Sequence, residues 1–174
     1  MNLPELIELG RADFVTIDTI GPPGQRTFFL QAAQGDLVVT VIIEKEHAAA
    51  LAIAVDEMLA RLGEIGEVPD PATLDLIHPV EPLFRVGKLG LGYDQEKAMF
   101  ILVAEELVEE GQRGARVHIW ASHGQMAGLA RKAAAVVAAG RPLCPLCHEV
   151  INPDEEHVCV RGNGRKYLYR LDED

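Results

Sequence analysis

All three cysteines of this 174-residue chain lie close together near its C-terminal end. Cys144 and Cys147 form a C-x2-C pair, whose turn directs two thiolates at one point. His157 and Cys159 are two residues apart, so on an extended segment they share one face. The turn-forming residues 152–156 can return the second pair to the first. Three thiolates and one imidazole make a closed tetrahedral ligand set, and we therefore predict that these four side chains hold one structural zinc ion.

Three alternatives to this ligand set stay open. His148 is a second candidate for the fourth ligand, although its position next to Cys147 would strain the loop. In the second alternative, the cysteines are ordinary buried thiols. In the third, Cys144 and Cys147 are a redox pair, but such a pair usually opens a helix, whereas prolines and acidic residues follow here. With four protein ligands, no coordination position remains for water, so a structural rather than a catalytic zinc is expected.

The hydrophobic pattern of the remaining chain predicts the body that must position this cluster. Six segments have the alternation or the apolar character of β-strands: Asp13–Ile20, Thr27–Ala33, Leu37–Ile43, Leu83–Leu91, Lys97–Glu105 and Ala115–Ala121. A helix is expected over residues 44–62, because apolar side chains between Leu51 and Leu62 recur on one helical face. A second helix is expected after Ser122, a good N-cap, with its end at Gly140.

The order strand, strand, strand, helix occurs twice, so we predict an α+β fold. Two consecutive βββα units would form a mostly antiparallel sheet with two helices on one face, followed by a C-terminal zinc knuckle. The expected divisions are a body over 1–140, made of a first unit (1–62), a proline-rich linker (63–82) and a second unit (83–140), and a zinc-knuckle tail over 141–174. Residues 37–43 are apolar on both faces. We expect the face opposite the helices to be covered by the linker, the tail or a second subunit.

Charge and composition restrict the class of partner. The net charge of −11 disfavours nucleic-acid binding, because phosphate contacts supply most of its non-specific affinity. Cysteines that are odd in number and clustered at metal-ligand spacing indicate a reducing compartment. The first ten residues contain neither a basic region nor a long apolar run, and no apolar stretch has the length of a membrane span. We expect a cytoplasmic protein that does not bind membranes.

Segments spread over nearly the whole chain resemble a bacterial family, domain of unknown function 3090. The similar segments are Gly24–Gln31, Glu44–Glu46, Phe84–Gly87, Val136–Pro142, Cys144–Cys147 and His157–Cys159, with Arg161 and Asn163. The chain differs from the family pattern at His148, Glu155, Glu156 and Val160, which leaves the four ligands intact. The resemblance implies a zinc-ribbon-like tail on an α+β body. It also implies association, through neighbouring genes, with a kinase-like and a phosphomutase-like protein, but no established activity.

Four arginines that belong to these segments form the second candidate site. They are Arg26, Arg85, Arg141 and Arg161. Because a guanidinium group binds carboxylate and phosphate with two parallel hydrogen bonds, we hypothesise that some of them converge beside the zinc into an anion-binding or phosphoprotein-binding site. The alternative is that they form internal ion pairs with residues such as Glu44 and Glu46.

These observations together predict a zinc-stabilised cytoplasmic binding or adaptor protein that recognises an anionic or phosphorylated partner. A protein is the expected partner, and homodimer formation is left open. The alternative is an enzyme or sensor that acts on a phosphorylated small molecule or nucleotide through the arginines. No catalytic residue is predicted. His118 and His123 flank Trp120 where a strand meets a helix, and packing and capping roles are favoured for them.

Overall fold

The computed structural model describes residues 3–22, 24–63 and 66–140, together with Cys144, Leu146, Cys147 and Cys159. Its elements in chain order are β1 (Leu6–Leu9), β2 (Phe14–Ile20), β3 (Thr27–Gln34), β4 (Leu37–Ile43), α1 (Lys45–Leu62), β5 (Pro82–Asp94), β6 (Met99–Glu106), β7 (Arg116–Ala121) and α2 (His123–Ala139). A single 3-10 turn, Pro71–Thr73, lies between α1 and β5.

The seven strands form one sheet in the order β1-β7-β6-β5-β4-β3-β2. Neighbouring strands are antiparallel, except that β1 is parallel to β7 and β4 is parallel to β5. The predicted α+β class is confirmed, and all six predicted strands are present. β1 is a seventh strand that the sequence did not predict. It has only four residues, and its partner comes from the far end of the body, so neither its length nor its periodicity signals it.

The helices follow the strands in the predicted order, with β2 to β4 before α1 and β5 to β7 before α2. Parallel strands need a crossover connection, and α1 with the segment after it connects β4 to β5. The two runs therefore share one continuous sheet rather than forming separate layers.

The sheet curls until its two ends meet. Its edge strands, β1 and β2, are joined by residues 10–13 alone, a connection that spans at most about 18 Å. A flat sheet of seven strands would be roughly 29 Å wide, so the ends cannot be joined without curvature. Two consecutive main-chain bonds show the closure: the Ala12 N–H donates to the Trp120 oxygen on β7, and the Asp13 N–H donates to the Ala33 oxygen on β3, each at 2.8 Å.

Both helices pack on the inner face of the curled sheet and against each other. In α2, the side chains of Met126, Leu129 and Ala133 are fully buried. Ser122 is the N-cap, as predicted, and it forms a capping box with Gln125. The Gln125 side chain also donates to the Ala12 oxygen at 2.7 Å. The start of α2 is thereby attached to the connection that closes the sheet.

The outer face of β2, β3 and β4 is covered by the segment expected to be a linker. Thr16, Gln31 and Thr40 lie side by side in register on this face, and all three are buried. Thr16 donates to the Leu74 oxygen, and the Gln31 side chain binds the main chain of Ile77. The expected cover over the central strand is therefore present. Among the three expected covers, residues 66–81 are the one that packs on this face.

Candidate metal centre and basic cleft

Cys144, Cys147 and Cys159 converge in space, as their spacing predicts. Their sulfur atoms all lie within 4.8 Å of one another. A tetrahedral zinc ion with Zn–S bonds of about 2.3 Å places its sulfur ligands roughly 3.8 Å apart. The three side chains can therefore coordinate a single metal ion.

Two of the three cysteines are fully buried. Cys144 and Cys159 are 0% exposed, and Cys147 is half-buried. They form a small cluster apart from the main core, and among the described residues this cluster consists of cysteines alone. Buried thiols that converge in this way are suited to share one metal ion.

The fourth ligand is not placed by this geometry. His157 and the alternative His148 both lie outside the described residues, so the choice between them stays a prediction. Leu146 and Cys147 lie in a turn, the conformation that a C-x2-C pair needs to direct two sulfurs at one ion.

A cleft lies close to the point where the chain leaves the body for the cysteines. The cleft has a volume of about 590 Å³, and its walls include Arg26, Lys45, Arg85 and Gly140. Gly140 follows α2 and is separated from Cys144 by only three residues, so their Cα atoms are at most roughly 14 Å apart. The candidate metal centre is therefore close to the cleft.

The strand register explains how Arg26 and Arg85 come to share this cleft. Arg26 lies just before β3, whose Phe28 pairs with Ile43 at the end of β4. Arg85 lies on β5 and pairs with Ile42, because β5 is parallel to β4. The end of β4 thus has one arginine on each side. Two of the four predicted arginines are brought together; the other two, Arg141 and Arg161, lie outside the described residues.

Arg26 is held in place by three contacts. Its Nη1 donates a hydrogen bond to the main-chain oxygen of Val136, in the last turns of α2. Its guanidinium carbon lies 4.8 Å from the centre of the Phe28 ring, a cation–π distance. The group also lies against Gly140, where a Cβ atom would overlap it. No carboxylate among the described residues forms an ion pair with Arg26.

Arg85 forms the internal ion pair that the alternative hypothesis proposed. Its Nη1 lies 2.6 Å from Oε1 of Glu44, and the two side chains are 50% and 52% exposed. An ion pair with this much exposure to water contributes about 0–1 kcal/mol. The pairing is therefore real but weak, and it leaves Arg85 accessible from solvent.

The sequence reasoning did not find Lys45 or Gly140 as parts of the cleft. Lys45 is the first residue of α1 and adds a third positive charge. Glu44 and Glu46 supply two negative charges to the same walls. Lys45 was visible in the sequence as the middle residue of Glu44–Glu46, but its neighbours across the cleft were not.

His118 and His123 are not brought together. His118 lies on the outer face of β7, in register with Val103, whereas His123 packs against Phe100 in the inner core. The Nε2 of His123 lies 2.8 Å from the hydroxyl oxygen of Tyr93. This hydrogen bond gives His123 a packing contact at the start of α2, in line with the role favoured from sequence.

Comparison with known proteins gives one match. The family model described as "Protein of unknown function (DUF3090)" matches residues 8–159. No curated protein and no solved structure matches the chain significantly. Neither helix of the described body is long and apolar enough to cross a membrane. The matched range includes both helices, the basic cleft and all three cysteines. The chain therefore belongs to the DUF3090 family of proteins of unknown function.

Proposed function

We propose that this DUF3090 protein is a zinc-stabilised binding protein in which the three cysteines and His157 hold one Zn²⁺. The observation that carries the proposal is the convergence of the sulfur atoms of Cys144, Cys147 and Cys159 within 4.8 Å. Soft thiolate ligands favour Zn²⁺ over hard ions such as Mg²⁺ and Ca²⁺. An imidazole as fourth ligand completes a tetrahedral set that is typical of structural zinc.

The zinc would stabilise the tail rather than take part in a reaction. Four protein ligands leave no open position for water or substrate. The predicted ligands span only residues 144–159, which are too few to bury a sizeable core, and segments shorter than about 40 residues usually need metal ions, disulfides or a partner to fold. The binding energy of the metal then becomes folding energy for the tail.

The binding role rests on the basic cleft. The chain has a net charge of −11, yet Arg26, Lys45 and Arg85 line one cleft. We propose that the cleft recognises an anionic group of a partner, with a protein as the favoured partner and binding rather than catalysis as the favoured role.

Metal analysis of the purified protein tests the zinc centre. We expect one zinc per chain in the wild type and almost none in Cys144→Ser. His157 and His148 offer a matched pair: His157→Ala should lower the zinc affinity by at least about tenfold, whereas His148→Ala should leave it unchanged. A wild type that is free of metal when purified without chelators would overturn the proposal. The reverse result for the two histidines would move the fourth ligand to His148.

A second candidate function is an enzyme or sensor that acts on a phosphorylated small molecule. The specific observation in its favour is that Arg26 and Arg85 share one cleft, since arginine pairs are suited to phosphate groups. Incubation with AMP and glucose 6-phosphate, followed by product analysis, separates the two candidates. Turnover that Arg85→Gln abolishes would favour the enzyme, whereas binding without turnover would favour the binding protein.

A further inference from the structure

The basic cleft differs in charge from the rest of the chain. Arg26, Lys45 and Arg85 contribute three positive charges to its walls, against two from Glu44 and Glu46. The whole chain carries −11, so an anion is repelled by most of the surface and meets a local excess of positive charge here. Such a site selects anions by short-range contacts rather than by long-range attraction.

Arg26 provides a fixed positive group at one side of the cleft. Its bond to the Val136 oxygen, its stacking on Phe28 and its contact with Gly140 hold the guanidinium in one orientation. A guanidinium group has five N–H donors, and among the described residues only the Nη1 of Arg26 is used. The others can bind an oxyanion without a large loss of side-chain entropy, because the group is already immobilised.

Arg85 provides a half-exposed positive group at the other side, and it already binds the carboxylate of Glu44. The Glu44 carboxylate lies 2.6 Å from Arg85, with both side chains about half exposed. Because such a pair is weak, an anion with more charge can replace the carboxylate at little cost. A phosphate-ester dianion has two negative charges and three acceptor oxygens, which suit the two-pronged hydrogen bonding of arginine.

We infer that this cleft binds the phosphate-ester dianion of a phosphorylated ligand between Arg26 and Arg85, and that Glu44 is an internal competitor that the ligand displaces from Arg85. The inference rests on the anion-binding part of the proposed function and names its ligand class. The cleft volume of about 590 Å³ lies in the range of small-molecule sites, about 300–1,000 Å³. Gly24 on its wall carries no side chain that would keep a ligand from the main chain.

Titration calorimetry in a phosphate-free buffer tests the inference, with inorganic phosphate, AMP, glucose 6-phosphate and a phosphoserine hexapeptide as probes. We expect at least one phosphate ester to bind, and its affinity should fall by at least about tenfold in Arg85→Gln, because a charge-assisted contact is lost. Glu44→Gln should raise the affinity by about threefold to tenfold, because the competing charge is removed. Arg131→Gln, which alters an exposed arginine of α2 outside the cleft, should leave the affinity unchanged.

The decisive result is that Arg85→Gln lowers the affinity while Glu44→Gln raises it. A general loss of structure would lower the affinity in both variants. Arg85→Lys is a second variant. It keeps the positive charge but loses the two parallel hydrogen bonds of the guanidinium group, so it should retain part of the affinity. Binding of AMP or glucose 6-phosphate would identify a small molecule as the source of the phosphate, and binding of the peptide alone would identify a phosphorylated protein. Absence of binding to both the wild type and Glu44→Gln would overturn the inference, as would an unchanged affinity in Arg85→Gln. The zinc content of each variant is measured in parallel. It tests the proposed zinc centre independently of phosphate binding.

Discussion

The side-chain amide of Gln31 binds both main-chain groups of Ile77. Its Nε2 donates to the Ile77 oxygen at 3.0 Å, and its Oε1 accepts from the Ile77 N–H at 2.7 Å. The same Nε2 donates to the hydroxyl oxygen of Thr40 at 3.0 Å. Gln31 is 0% exposed, and these bonds attach residues 66–81 to the outer face of the sheet.

Replacement of this amide should destabilise the body. In Gln31→Leu, the part-buried N–H and C=O of Ile77 and the buried hydroxyl of Thr40 lose a partner, and a buried polar group left without one costs about 1–3 kcal/mol. We therefore expect the free energy of unfolding in urea to fall by about 2–4 kcal/mol. Gln34→Leu, at the exposed end of the same strand, is the control and should change it by less than about 0.5 kcal/mol. A similar small effect in Gln31→Leu would mean that the segment does not depend on this contact.

Gly140→Ala should displace the Arg26 side chain, although the backbone conformation of Gly140 is ordinary. Its φ of −79° and ψ of −6° suit any residue, but a Cβ would overlap the guanidinium group of Arg26. The overlap falls on the far end of a flexible side chain, so the expected loss of stability is that of the Arg26 hydrogen bond to Val136, about 0.5–1.5 kcal/mol. Gly10→Ala is the matched control, because nothing lies within 4 Å of the added atom. Thermal unfolding of both variants checks this, and equal melting temperatures would show that Arg26 can move aside.

The ion pair between Arg85 and Glu44 should contribute little to stability. Both side chains are about half exposed, so a double-mutant cycle with Arg85→Gln and Glu44→Gln should give a coupling energy of about 0.2–1 kcal/mol that decreases with added salt. Urea unfolding of the four proteins provides the measurement. A coupling energy above about 2 kcal/mol would contradict the view that a ligand can displace Glu44.

Removal of the metal should affect the cysteines and leave the body folded. The body has a core of its own, to which the three cysteines do not belong. Trp120, the only tryptophan of the chain, lies on β7 and reports on the sheet. After treatment with EDTA, we expect three thiols to become reactive towards a thiol reagent, with the tryptophan emission and the helical circular dichroism nearly unchanged. A large change in tryptophan emission would show that the body depends on the metal.

The sequence by itself determined most of the local elements, because their signals are short-range. The predicted bounds of β4, Leu37–Ile43, agree with the structure, since a continuous apolar run between turn residues can pair on both sides. The end of α1 at Leu62 and the N-cap at Ser122 were also predicted. The convergence of three cysteines followed from their spacing, because a C-x2-C turn and one return of the chain are enough to bring the thiolates together.

Only the tertiary structure decided which distant segments meet. β1 pairs with β7 and closes the curled sheet, although its four residues have no periodicity to mark them as a strand. Residues 66–81 looked like a linker because they contain prolines and no repeating apolar face, yet buried Leu74 and Leu76 anchor them to the body. Such contacts depend on how the whole chain packs, so they cannot be deduced from a short stretch of sequence.

Of the two candidate sites, the metal centre was predictable from the sequence, whereas the basic cleft was decided by the tertiary structure. The chemistry of the metal centre is present in one stretch of sequence, and His157 as the fourth ligand stays a prediction. The basic cleft exists only because β3 is antiparallel and β5 parallel to β4, which places Arg26 and Arg85 on either side of its end. A side chain has a fixed neighbour along its own helix or strand, but a neighbour across the sheet is fixed only by strand order and register.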